Sequence, residues 1–353
     1  MAEKKKPKRI LLKQLAMRRM LLALSPSVAG AVYFFGWRSL VVVLVAAIVG
    51  FLTELIFTRL RGEPVSEAVF VTTTIYALIM PPTVPWHVVV IGVVFAVMFV
   101  KEIFGGFGRN IFNPAMAGRC FVYIAFPIAM TAVWAPPAEG VMGALDRWTT
   151  APTEDALTSA TPMAYLKLGR MELAFDEEAA DEVPYEIAEE ETVPVGTISF
   201  WLSQLFGRIS GTMGVTSALL SLIGGIYIYY TKTASRTIIL WLIGTYAVLN
   251  QVLYWVGVEP VPMAPTAVLG GGFLFGAFFI ATDPVSAART ETGRKIYAII
   301  IGTCTVVIRN FSIFNGGLMF SILIGNMFAP IIDHAVRARA ASKKAKAAAA
   351  GVA

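Results

Sequence analysis

Apolar residues along the chain gather into ten runs, near residues 20–36, 39–58, 67–81, 85–104, 114–135, 212–230, 236–256, 263–282, 295–311 and 316–335. Several fall short of the ~20 residues that a spanning helix needs. The pattern predicts an all-α integral membrane protein of about ten transmembrane helices, some of them broken. Between the fifth and sixth runs lies a long polar segment. The chain then divides into a basic N-terminus (1–19), a first five-helix repeat (20–135), a loop (136–211), a second five-helix repeat (212–337) and a basic tail (338–353).

Composition agrees with the pattern. Over 353 residues, 57% are hydrophobic and 15% charged, where soluble domains carry about a quarter charged residues. The mean hydropathy is +0.70. The start, M-A-E-K-K-K-P-K-R, is basic but is followed by K-Q-L-A-M-R-R-M with no small-residue cleavage site. The first span is therefore expected to stay. The net charge of +6 would suggest nucleic acid in a soluble protein. Here the cations sit at the chain ends and in alternate loops: Arg59 and Arg61, Lys101 and Arg109, Lys232 and Arg236, and Arg289, Arg294 and Lys295. Membrane orientation explains them without a nucleic-acid partner, and places both termini in the cytoplasm. The tail beyond residue 338 is expected to lie at the lipid surface.

The loop 136–211 then falls on the non-cytoplasmic side. It holds most of the chain's acids, among them Asp176, Glu177, Glu178, Asp181 and Glu189. Such a stretch is ordinarily a solvated face. Earlier in the same loop comes D-A-L-T-S-A-T, with Thr158, Ser159 and Thr161 crowding three hydroxyls together. Taken alone it reads as a polar loop.

An internal echo links the halves. Residues 113–119 read N-P-A-M-A-G-R and residues 283–289 read D-P-V-S-A-A-R. Asn113 and Asp283 suit a helix N-cap, with Pro114 and Pro284 at the first helical position. Five spans before and five after invert the second half relative to the first, as in many transport folds with broken helices near the midplane. The proline-rich fragments at 80–86 and 259–265 are expected to interrupt helices on the outer side.

Ionisable groups inside spans are costly and tend to face a cavity or a partner. Glu54, Glu102 and Asp333 are such groups. They read either as parts of a cation path or as interfacial anchors. Asn250 and Gln251 suit hydrogen bonds between helices. Cys120 and Cys304 read as small apolar side chains. His87 and His334 make no ligand cluster, so neither haem nor zinc held by this chain alone is expected.

Three strings carry a family resemblance: M-P-P-T-V-P (80–85) with V-K-E-I-F-G-G-F-G-R-N-I-F-N-P-A-M-A-G-R (100–119); A-T-D-P-V-S-A (281–287) with T-G-R-K-I-Y (292–297); and N-M-F-A-P-I-I-D-H (326–334). They resemble the NqrB/RnfD family, the flavin-bearing membrane subunits of the Na+-translocating NADH:quinone oxidoreductase and of the related Rnf complex. The resemblance spans roughly 18–135 and 200–337 and omits the acidic stretch.

The resemblance implies an electron carrier in an ion-translocating oxidoreductase of the bacterial or archaeal cytoplasmic membrane. Asp155, Thr158, Ser159, Ala160 and Thr161 match the family's flavin attachment motif. It implies FMN joined through its phosphate to the hydroxyl of Thr161, installed by a separate flavin transferase. An NqrB-like role implies NADH-to-quinone electron transfer, quinone near Gly105 and Gly106 and a bound riboflavin; Arg119 is a further candidate for quinone or flavin. Glu54, Glu102 and Asp333 would then handle Na+. An RnfD-like role implies a ferredoxin:NAD+ oxidoreductase instead. Val215 stands where the family often has a glutamate, which puts that acid's role in doubt. The chain has no dinucleotide fingerprint and no iron–sulphur cysteine set, so it needs partner subunits and supplies no catalytic residue of its own. The rival from another class is a flavin-free secondary transporter or channel.

Overall fold

The computed structural model describes residues 10–131, 134–138, 140–150, 196–312, 314 and 316–350. The flavin attachment motif at Asp155–Thr161 and the acidic stretch lie outside the described residues.

The described chain is mostly helical. In order come α1 (Leu15–Phe35), α2 (Trp37–Arg61), α3 (Ala68–Leu78), α4 (Trp86–Val97), α5 (Pro114–Ala125), α6 (Pro127–Thr131), α7 (Ile198–Phe206), α8 (Ala218–Tyr230), α9 (Arg236–Trp255), α10 (Ala264–Leu269), α11 (Phe273–Phe275), α12 (Glu291–Phe311) and α13 (Gly317–Ala350). Among the described residues four helices, α1, α2, α9 and α13, are long and apolar enough to cross a membrane; α3 and α8 are apolar but shorter. On α2, Leu44, Ile48, Leu52 and Ile56 recur every fourth residue and are exposed, while Val42, Ala46, Gly50 and Glu54 are buried. An exposed stripe of large apolar residues opposite a buried face of smaller residues that carries Glu54 inverts the soluble pattern and suits lipid.

Two corrections to the all-α expectation concern detail. Leu11–Leu12 and Val65–Ser66 form a two-stranded parallel ladder, β1 and β2. The ladder is held by Glu67, which accepts from the Gln14 backbone N–H at 2.7 Å and pairs with Arg18 at 2.5 Å. Secondly, helices α4 and α11 continue as π-helical turns, Met98–Glu102 and Gly276–Ile280.

Proline and glycine set the breaks. The run 114–135 is not one helix. It splits at Phe126, which leaves the helical region with φ of −131° and ψ of 61°, because a following proline disfavours the helical conformation. The run 263–282 is interrupted at residues 270–272, where Gly271 and Gly272 hold φ of +56° and +68°. Only glycine adopts these values cheaply.

The capping echo holds in one half only. Asn113 caps α5, accepting from the Met116 N–H at 3.2 Å, with Pro114 at the first position. Asp283 starts no helix. It closes a local turn, accepting from the Val285 N–H and the Ser286 hydroxyl, and α12 begins later with Thr290 as its cap. Thr290 wins because its hydroxyl also donates to Asp333 at 2.6 Å.

Hydrogen bonds sort the helix ends onto two faces. The inner face gathers the start of α1, the end of α2, Lys101, Asn113, Asp283 and Asp333. The outer face gathers the α1–α2 turn, residues 145–148 and residues 207–217. There the Arg38 N–H donates to the Trp148 carbonyl, and the Met213 and Gly214 N–H groups donate to Met80 and Leu78. The two halves of the chain meet where α1 packs on α8 and α5 on α13.

Gly224 sets the α1–α8 approach: a Cβ there would collide with the Ala23 carbonyl and reach the Phe279 ring at 2.8 Å. Gly224→Val is expected to cost about 1–3 kcal/mol by overpacking, read as a lower unfolding temperature in detergent. An unchanged transition would mean that the two helices separate freely.

Candidate functional site

The larger of two cavities among the described residues opens toward the outer face and takes in about 1030 Å3 of non-protein space, part of it open solvent. Short helices build it. Helix α3 enters from the inner face and α10 from the outer face, and both end at the cavity wall. Their last carbonyls carry partial negative charge, and each set is met by an arginine. Arg119, in the second turn of α5, donates to the Ile79 carbonyl. Arg309, in the last turn of α12, donates to the carbonyls of Gly270, at 3.2 Å, and Gly271. Arg309 is 1% exposed and lies against the rings of Tyr246 and Phe273. Cation–π contact offsets part of the cost of burying that charge.

Three polar side chains line this cavity without a protein partner for every atom. Arg119 Nε, Arg309 Nε and both amide atoms of Gln204 are buried with no hydrogen bond. Gln204 sits on α7, which Trp201 pins to α10 by donating to the Thr266 hydroxyl at 2.7 Å. Each unmade bond of this kind costs about 1–3 kcal/mol, so the wall is shaped for a polar occupant. Trp134, Tyr123 and Phe275 supply apolar surface beside it, and Val215 lies in the same wall.

The inner face holds a second, smaller cavity bordered by Lys101, Asn110, Asn113 and Asp283. Lys101 is a correction to the sequence reading, which placed it in the basic loop after the fourth span. It is 2% exposed, and its Nζ lies 2.6 Å from Glu54 Oε2 and 2.8 Å from Ser66 Oγ. Glu54, 1% exposed, also accepts from the Ser66 N–H and hydroxyl. The π-turn allows this: its wider register turns Lys101 inward beside Glu102.

The remaining candidates are placed separately. Glu102 pairs with Arg61 through one oxygen while the other has no partner. Gly105 and Gly106 make the tight turn that follows, with φ of +101° and +90°. A Cβ on Gly106 would press on Arg61 Nη2 at 2.8 Å. Asp333 accepts from the Arg289 and Thr290 N–H groups at 2.7 and 3.0 Å, which ties α13 to the start of α12. Among the described residues no group of three or more His, Cys, Asp or Glu side chains is placed to hold a metal ion. Asn326 joins the halves, accepting from the Asn113 N–H at 3.0 Å and donating to Tyr297 at 2.9 Å. Asn250 accepts from Asn310 at 3.1 Å, an interhelical bond as expected.

Sequence reasoning missed Gln204, Arg309 and the inward position of Lys101. Arg309 had a usable signal, a lone arginine inside an apolar run. Gln204 had none, because α7 lies in what reads as a polar loop.

The family described as "NQR2, RnfD, RnfE family" matches residues 10–342. The chain is 34% identical over 316 residues to a subunit of the Na(+)-translocating NADH-quinone reductase of Ectopseudomonas mendocina, covering 88% of this chain and 68% of that protein. It is 36% identical over 337 residues to a subunit of the ion-translocating oxidoreductase complex of Alcanivorax borkumensis, covering 92% and 91%. The corresponding protein of Shewanella amazonensis is 32% identical over 344 residues, with 92% of each chain covered.

Proposed function

Because the chain belongs to the NQR2, RnfD, RnfE family, we propose that it is the membrane subunit of an ion-translocating redox complex of the Nqr or Rnf type. It carries electrons on FMN joined through its phosphate to the Thr161 hydroxyl. The complex couples their passage to movement of Na+ or H+ across the cytoplasmic membrane. In this reading the chain crosses ten times as two inverted five-helix halves, with both termini in the cytoplasm. The short helices α3 and α10, entering from opposite faces, are the broken helices of such a fold.

The observation that carries the reading is the outer cavity with its buried, unpartnered Arg119, Arg309 and Gln204 groups. A flavin ring has apolar faces and a polar edge, and this wall offers aromatic surface beside donors and an acceptor. Thr161 lies eleven positions after Thr150, a stretch that an extended chain covers to about 36 Å. Thr161 can therefore deliver a ring to a cavity that opens on the same face as residues 145–150. Bound FMN supplies the centre that accepts and releases electrons. The chain supplies the rest: Thr161 anchors, aromatic walls exclude water, and two guanidinium charges offset negative charge brought into a low-dielectric site.

The partners are the other subunits, which oxidise the soluble donor, and the flavin transferase that loads Thr161. The test uses membrane vesicles from a strain lacking the chain and from the same strain complemented. Donor-driven Na+ or H+ uptake should vanish and return. Uptake that proceeds without an electron donor, from a chain whose denatured band shows no flavin fluorescence, would establish a plain transporter instead.

A further inference from the structure

The outer cavity makes a more particular demand than positive charge. Gln204 is 2% exposed, and both its amide oxygen and its amide nitrogen lack a partner. The two guanidinium Nε–H groups beside it are donors only, and so are matched by any acceptor. An amide is different: it needs an acceptor and a donor side by side. A quinone ring or a phosphate dianion offers acceptors alone and would leave the Gln204 oxygen unpaired. The imide edge of a flavin, a ring N–H flanked by carbonyls, offers both in one plane. Space is provided opposite. Gly270 has no side chain, and a Cβ there would come within 2.9 Å of Gln204 Nε2.

We propose that Gln204 is the residue that reads the imide edge of the flavin ring, its Nε2–H donating to a ring carbonyl and its Oε1 accepting from ring N3–H. This rests on docking of the ring in the outer cavity. The amide atoms are sealed by their neighbours, so the pairing comes with a turn of the side chain toward the occupant. Gln204 is a specificity-determining residue here, and it explains why a polar side chain occupies the buried face of α7.

The test uses the full chain in detergent carrying Thr161→Ala, so that no covalent flavin competes. Lumiflavin and its N3-methyl derivative are titrated by fluorescence quenching. Losing one buried hydrogen bond at about 1.4 kcal/mol is tenfold in affinity. The chain with Gln204 intact is therefore expected to bind lumiflavin about tenfold more tightly than the N3-methyl compound. Gln204→Leu loses both bonds and should bind the two compounds alike, lumiflavin about a hundredfold more weakly than before. Gln204→Glu keeps the oxygen that accepts from N3–H and should keep the discrimination, which separates lost recognition from lost folding. Equal binding of the two compounds by the Gln204 chain, discrimination that survives Gln204→Leu, or no binding of either compound would overturn the proposal. Its fate is separable from that of the flavoprotein reading. FMN found on Thr161 without N3 discrimination sinks the role of Gln204 alone. Discrimination by a chain whose native Thr161 carries nothing sinks the covalent attachment alone.

Discussion

Thr161→Ala is expected to abolish covalent flavin: the denatured band loses its ultraviolet fluorescence, and donor-driven ion uptake by the complex falls to the background of the deletion strain. The effect is all-or-none because a phosphoester has no weaker substitute at alanine. In the unaltered protein, the peptide containing Thr161 should be heavier by one FMN less water. Thr158→Ala controls for motif recognition, because it leaves the Thr161 hydroxyl in place and should lower the extent of loading without moving its position. The prediction fails if Thr161→Ala retains fluorescence, or if the mass increment maps to Thr158. Uptake that survives while fluorescence disappears would mean that the flavin is not on the electron path.

That motif is proposed from one contiguous string, whereas the pocket has no such string. D-x-x-T-S-A-T is a contiguous string, so one stretch of chain carries the whole signal. The cavity draws Arg119 from α5, Gln204 from α7, Gly270 from the break after α10 and Arg309 from α12. No local pattern links positions so far apart in sequence. Among the spans, long runs such as 39–58 matched a helix closely because a continuous apolar stretch has one way to satisfy its backbone in lipid. Broken segments matched less well. Glycine and proline show that a helix is interrupted without showing which neighbour closes its end.

Lys101→Met gives the second large effect, in stability. Lys101 and Glu54 are 2.6 Å apart and nearly sealed from solvent, with side-chain exposures of 3% and 2%. Ser66 bonds to both. A buried pair of this kind contributes little net, because desolvation consumes most of the attraction. Removing one partner is severe, because the other charge stays buried alone; the cost is about 3–5 kcal/mol. Lys101→Met should therefore lower the unfolding temperature in detergent markedly, and Glu54→Gln combined with Lys101→Met should recover most of it. Additive losses in the double variant would show that the two groups act independently. The pair also bears on ion handling. With the ammonium in contact, the Glu54 carboxylate is committed to Lys101, so a cation using Glu54 would first have to displace that lysine.

The sequence by itself determined the membrane class, the alternation of basic loops and the Asn113–Pro114 helix start, and it alone holds the string on which the Thr161 proposal rests. Each is local or periodic, and each follows from what one stretch of chain must do in lipid or in water. Only the tertiary structure decided the rest. It turned Lys101 inward, because a π-turn rotated it toward a carboxylate on another helix. It moved the second cap from Asp283 to Thr290, because Asp333 on the following helix held that hydroxyl. It set Arg119 and Arg309 at the ends of two short helices that arrive from opposite faces. Burying a charge or a polar amide is tolerable only beside its partner, and the partners here lie far along the chain.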